Sequence, residues 1–155
     1  MNFETINNRL MTKLRLLCPE QCDKVFGQQY ADIDGDFLGF VDTYYYLSKL
    51  IPKHWIVIDF GCAYAPQAYY FRKHKEYIGI CPSVDKRFFF ENTTHCTDTI
   101  KGWLEKAGKM NTDEVFAICN YVPSPETELV RQTFKNCYVF YPHGDFKALK
   151  NEKTK

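Results

Sequence analysis

From Trp55 onward the chain alternates short β-rich apolar runs with helical stretches, and that alternation restricts the fold more than any other feature. The runs are Trp55–Phe60, Tyr77–Cys81, Thr93–Cys96 with a backward extension into Phe88–Phe90, Val115–Cys119 and Cys137–Tyr141. Amphipathic segments at Gln67–His74, Asp98–Ala107 and Pro125–Phe134 separate them, with Thr97 or Asp98 and Ser124 as amino-terminal caps. Strands that are apolar almost throughout are covered on both faces, as parallel strands are. Joined by short loops, they predict an α/β fold built on a doubly wound, mainly parallel five-stranded sheet with right-handed crossovers. The stretch 82–92 is short for a full crossover helix, so only a turn or two is expected there.

Helices precede the sheet. Phe3, Ile6, Leu10, Leu14 and Leu17 recur at spacings of three and four, one apolar face of an amphipathic helix. Pro19 breaks it at Cys18-Pro19-Glu20-Gln21-Cys22. A second helix over residues 37–50 carries Phe40, Tyr44, Leu47 and Ile51 on one side, and Pro52 stops it. Asp32-Ile33-Asp34-Gly35-Asp36 misses the calcium-loop pattern, because its glycine is fourth rather than sixth and Thr43 stands at position twelve. It reads as an acidic turn. A single domain follows, with a helical amino-terminal part (1–52), an α/β core (53–146) and a polar, lysine-rich tail (147–155).

Charge excludes an overall electrostatic attraction to nucleic acid or membrane: 20 basic against 19 acidic side chains leave +1. A local basic cluster, Arg72-Lys73-His74-Lys75 with Lys86 and Arg87, keeps a nucleic-acid partner open, beside the ordinary reading of a solvated surface. No signal-peptide pattern opens the chain and no run approaches membrane-spanning length, so no membrane partner is expected. Seven cysteines, an odd number scattered through a well-patterned chain, suggest reduced thiols and a cytoplasmic location. Five of them, Cys62, Cys81, Cys96, Cys119 and Cys137, fall in or beside the expected strands. Their spacings lack the close pairs of a structural zinc site, and small buried hydrophobes are the reading adopted, with no metal.

The first strand ends Ile58-Asp59-Phe60-Gly61-Cys62-Ala63, and after a helix the second ends Tyr77-Ile78-Gly79-Ile80-Cys81-Pro82-Ser83. Over residues 55–145 this resembles the Rossmann-like class I S-adenosylmethionine-dependent methyltransferases. In that family an acid closes the first strand and a glycine-rich turn meets the methionine part of the cofactor. Asp59 and Gly61 match those positions, with Ala63 and Ala65 at later turn glycines. The resemblance implies S-adenosylmethionine as cofactor, held around Asp59, Gly61, Cys62, Ala63, Cys81 and Asp98. Cys81 stands where the family usually carries the acid that grips the ribose, a task for which Ser83 and Asp85 are the nearby substitutes. Asn120-Tyr121-Val122-Pro123-Ser124-Pro125 loosely resembles the Asn/Asp-Pro-Pro-aromatic loop of enzymes methylating amino groups. It implies that Asn120 and Tyr121 lie nearest the chemistry, on a nucleobase or amine substrate. The alternative is a catalytically inactive module of the same fold that binds a macromolecule, suggested by Cys81 and by the missing extra strands. Methyl acceptor, protein partner and oligomeric state stay open.

Overall fold

A computed structural model of the chain describes residues 3–26, 41–82, 86–120, 122 and 124–139. Three helices come first: α1 (Phe3–Leu17), α2 (Pro19–Phe26) and α3 (Val41–Leu50). The sheet follows as β1 (Ile56–Phe60), β2 (Glu76–Ile80), β3 (Thr93–Cys96), β4 (Val115–Cys119) and β5 (Cys137–Val139), with α4 (Ile100–Ala107) and α5 (Ser124–Thr133) on the later crossovers. Strand order is β3-β2-β1-β4-β5 and every pairing is parallel. This is the expected α/β, Rossmann-like sheet with amino-terminal helices. Its order reverses at β1, so the β1 and β4 carboxyl ends, Phe60 in register with Cys119, flank the crevice typical of such sheets.

Alternation along each strand divides the core in two, because successive side chains leave a strand on opposite faces. One face gathers Val57, Tyr77 and Ile118 against Tyr44, Leu47 and Ile51 of the α3 region and Ala68 and Phe71. The other gathers Ile58, Phe60, Ile80, Ala117 and Cys119 against Ile100, Val130 and Phe134. Phe60 packs on Trp103 and Phe134 at centroid distances of 5.8 and 5.9 Å. The strand cysteines divide likewise, Cys62 and Cys81 on the α3 face, Cys96, Cys119 and Cys137 on the other. Two faces cannot make one metal or redox cluster, and no group of metal ligands is found among the described residues.

A third cluster seats the amino terminus: Leu10, Met11 and Leu14 of α1 and Cys22 of α2 bury against Phe88. Leu17 falls outside this contact and is 55 % exposed, so the expected stripe ends at Leu14. Pro19 ends one helix by opening the next, as proline suits a first turn. Within the α3 stripe, Tyr44, Leu47 and Ile51 are buried, while Phe40 and the 32–36 turn lie outside the described residues.

Local departures have plain causes. The connection after β1 is a 3-10 helix, Pro66–Phe71, rather than an α-helix through His74. His74 is instead buried, its Nε2 3.0 Å from the Ile51 carbonyl oxygen, and burial lowers its pKa. Helix α4 is capped by Thr99, whose hydroxyl accepts from Gly102 N at 3.0 Å, rather than by Thr97 or Asp98. β3 does not extend back to Phe88–Phe90. No helix among the described residues is long and apolar enough to cross a membrane.

Candidate functional site

The turn after β1 is built from three residues at positive φ: Gly61 at 80°, Ala63 at 50° and Ala65 at 57°. A left-handed conformation costs a residue bearing a Cβ roughly 1–2 kcal/mol, so the alanines follow a glycine-type path under strain. Gly61 is needed there for a second reason. A Cβ at Gly61 would lie 2.3 Å from the Asn120 carbonyl oxygen. Around it Gly61 N donates to the Ile80 carbonyl at 2.8 Å and Asn120 N donates to the Phe60 carbonyl at 3.1 Å. The glycine therefore admits the neighbouring chain, the loop after β4.

Asp59 sits beneath this turn, fully buried. Its Oδ1 accepts from the Tyr44 hydroxyl at 3.0 Å. Its Oδ2 accepts from the Tyr77 hydroxyl at 2.5 Å and from Gln67 Nε2 at 2.9 Å. Burial pushes its pKa from an ordinary 3.8 up to about 6, against the opposing pull of the donors Tyr77, Gln67 and Tyr44. Burial and the adjacent carboxylate raise both phenols well above their ordinary range. Gln67 also donates to the Cys62 carbonyl at 3.0 Å, so one amide ties the acid to the turn. Asp59 thus joins α3, β2 and the 3-10 helix across the sheet face.

The remaining candidates separate. Cys62 is buried beside Asp59, and burial, then the carboxylate, push its thiol far up. Ala63 is exposed at the turn. Cys81 is buried past the end of β2, and its carbonyl accepts from Arg87 Nη2 at 2.6 Å. Asp98 lies on the loop after β3, its Oδ1 accepting from Lys106 Nζ at 2.9 Å. The Asn120 side chain hydrogen-bonds to the Tyr44 hydroxyl, so the turn, Asp59 and the loop after β4 form one polar network. Its Oδ1 is buried with no hydrogen-bond partner among the described residues. Tyr121, Ser83 and Asp85 lie outside the described residues.

Sequence reasoning missed Arg87, treated there as a surface cation. It is 5 % exposed. Nη1 donates to the carbonyls of Gly79 and Cys96, each at 3.1 Å, in addition to the Nη2 bond to Cys81. A guanidinium holds donors in a rigid fork, and here the fork clamps the carboxyl ends of β2 and β3. His95 on β3 lies beside it, its Nε2 2.8 Å from the Phe88 carbonyl oxygen and its pKa lowered by burial. The one sequence signal was position: an arginine directly before the apolar Phe88-Phe89-Phe90, in the connection between β2 and β3.

S-adenosylmethionine, which the resemblance implies, meets unequal conditions here. The turn has a glycine-type path and, in Asn120 Oδ1, a buried acceptor without a partner among the described residues. At the ribose end Cys81 cannot accept two hydroxyl hydrogen bonds as a carboxylate can, and an arginine clamps the strand ends beside it, while the substitutes Ser83 and Asp85 lie outside the described residues. Comparison of the chain with protein-family models, with curated proteins and with solved structures finds no match.

Proposed function

We propose that the chain is a Rossmann-like module that acts by binding a macromolecule rather than by transferring a methyl group. The observation that carries this reading is Arg87. Its buried guanidinium, bonded to the Gly79, Cys81 and Cys96 carbonyls, stands at the strand ends where the resembled family needs a carboxylate. A fixed cation there opposes a cationic sulfonium ligand, and among the described residues the strand end offers the ribose no carboxylate. Asp59 supports the same reading, since its oxygens are engaged by Tyr44, Tyr77 and Gln67.

A second reading, methyl transfer to a nucleobase or amine, is favoured by one atom. Asn120 Oδ1 is a buried acceptor without a partner among the described residues, and a target amine would satisfy it. Calorimetric titration with S-adenosylmethionine and S-adenosylhomocysteine separates the two. The first reading expects no heat at high-micromolar ligand from folded protein. Stoichiometric binding in the micromolar range overturns it in favour of the second.

A further inference from the structure

Away from the strand carboxyl ends, beside the chain that leads into β1, α3 and the 3-10 helix frame a cavity of about 260 Å³. Four cations line it: Lys49, Lys53, Arg72 and Lys73. No carboxylate does, and none of the four joins an ion pair among the described residues. Lys53 is held in place by donating to the Ser48 carbonyl at 3.1 Å. Partial burial, then Lys49 and Lys73, lower its pKa, the response of an ammonium crowded by like charge. An anion entering the cavity would relieve that crowding.

Three tyrosines and Ser48 complete the lining. Tyr70 stands edge-on to Tyr45 at 5.5 Å and to Tyr69 at 5.8 Å between centroids. Arg72 lies 3.8 Å above the Tyr69 ring and fixes itself by donating from Nε to the Tyr69 carbonyl at 2.9 Å. Its outer Nη groups make no hydrogen bond among the described residues, which leaves them for an incoming acceptor. Tyr46, 48 % exposed, extends the aromatic surface next to Tyr45 at 5.3 Å. Lysines alone would suit any acidic chain. Flat rings interleaved with cations suit a phosphate joined to a base.

We propose that this pocket is a binding site for single-stranded nucleic acid, one phosphate held among Lys49, Lys53, Arg72 and Lys73 and adjacent bases stacked on the tyrosines. Stacking on side chains needs unpaired bases, which a single strand presents and a duplex does not. The site rests on the macromolecule-binding reading above and supplies its partner. It also reassigns the basic cluster: Arg72 and Lys73 stay, Lys49 and Lys53 join from α3 and its following loop, and His74 and Arg87 leave because both are buried.

The test is fluorescence anisotropy with a labelled mixed-sequence oligonucleotide of about eight nucleotides. Log affinity should fall against log salt with a slope of roughly −0.7, the value for one neutralised phosphate of a single strand. Lys49→Gln/Lys73→Gln should weaken binding about tenfold at low salt and flatten the slope toward zero. Lys101→Gln/Lys106→Gln on α4, across the sheet, should change neither, and circular dichroism of both double variants checks that they fold. An unchanged slope in the Lys49/Lys73 variant overturns the proposal. So does equal competition by a mononucleotide or inorganic phosphate, which would mark a small-anion site, or by polyglutamate, which would mark a protein partner. A strand that does not bind overturns it too, while the S-adenosylmethionine titration reports separately on the reading beneath it.

Discussion

Replacing Asp59 by asparagine should change how stability depends on pH, and the sign follows from burial. In the unfolded chain this carboxyl has its ordinary pKa of 3.8, and in the folded chain burial raises it to about 6. Between those values the folded state binds more protons than the unfolded state, so its stability falls as pH rises. Asp59's contribution is fully present below about 3.8, declines through the interval and is flat above about 6. A difference of about two pKa units corresponds to roughly 3 kcal/mol, a large share of the 5–15 kcal/mol typical of a domain. Tyr44 and Tyr77 do not blur the window, because both phenols are pushed upward and stay neutral throughout it.

Asparagine keeps the shape and an acceptor oxygen but cannot ionise. Urea unfolding followed by circular dichroism, run on both proteins between pH 4 and 7, cancels the other carboxyl groups when the two curves are subtracted. The stability of the parent protein relative to the Asp59→Asn variant should fall by about 2.4 kcal/mol from pH 4 to 7, the share of the full effect that lies in that range. A constant difference would refute the reasoning. A difference that grows with pH would refute it more sharply, since the three donated hydrogen bonds would then outweigh desolvation and hold the carboxyl low.

Gly61→Ala combines a left-handed backbone with a Cβ only 2.3 Å from the Asn120 carbonyl oxygen, so it should cost about 2–5 kcal/mol in the same urea assay, and a loss under 1 kcal/mol would mean the loop after β4 yields freely. Arg87→Met keeps the length of the side chain but strips the Gly79, Cys81 and Cys96 carbonyls of their shared donor. It should lower stability by about 3–5 kcal/mol and speed amide exchange at the ends of β2 and β3, whereas a neutral result would show that water replaces the clamp.

The parallel sheet was legible because its signal is local: each apolar run sits within a few residues of its own turn, and five such runs leave few topologies. The 3-10 helix at Pro66–Phe71 was not, since Ala65 at positive φ sets its entry and only the packed turn reveals that angle. The site shows the same divide more sharply. Asp59-Phe60-Gly61 reads identically whether the acid faces a ligand or the core, and the deciding contacts come from Tyr44, Gln67 and Tyr77, separated by 15, 8 and 18 positions.

Lengths explain why Arg87 was hidden. The strands that it clamps are joined by a connection short for a full crossover helix, and a long polar side chain on it meets their carbonyl ends. A cation can be buried there only because the parallel strands β2 and β3 end together, offering carbonyl oxygens from Gly79, Cys81 and Cys96 within reach of one planar fork. The same economy operates at Gly61, where the missing Cβ accommodates the Asn120 carbonyl. Both strand-end positions that the resembled family gives to a ligand are met here by the chain's own polar groups. Across the molecule, Lys49, Lys53, Arg72 and Lys73 stand without a carboxylate in their cavity lining. With Asn120 Oδ1 the exception, polar groups satisfied at one end and uncompensated charge at the other support the proposed ligand site on the basic, tyrosine-lined cavity, because a new partner gains most where the protein's own groups have left charge unanswered.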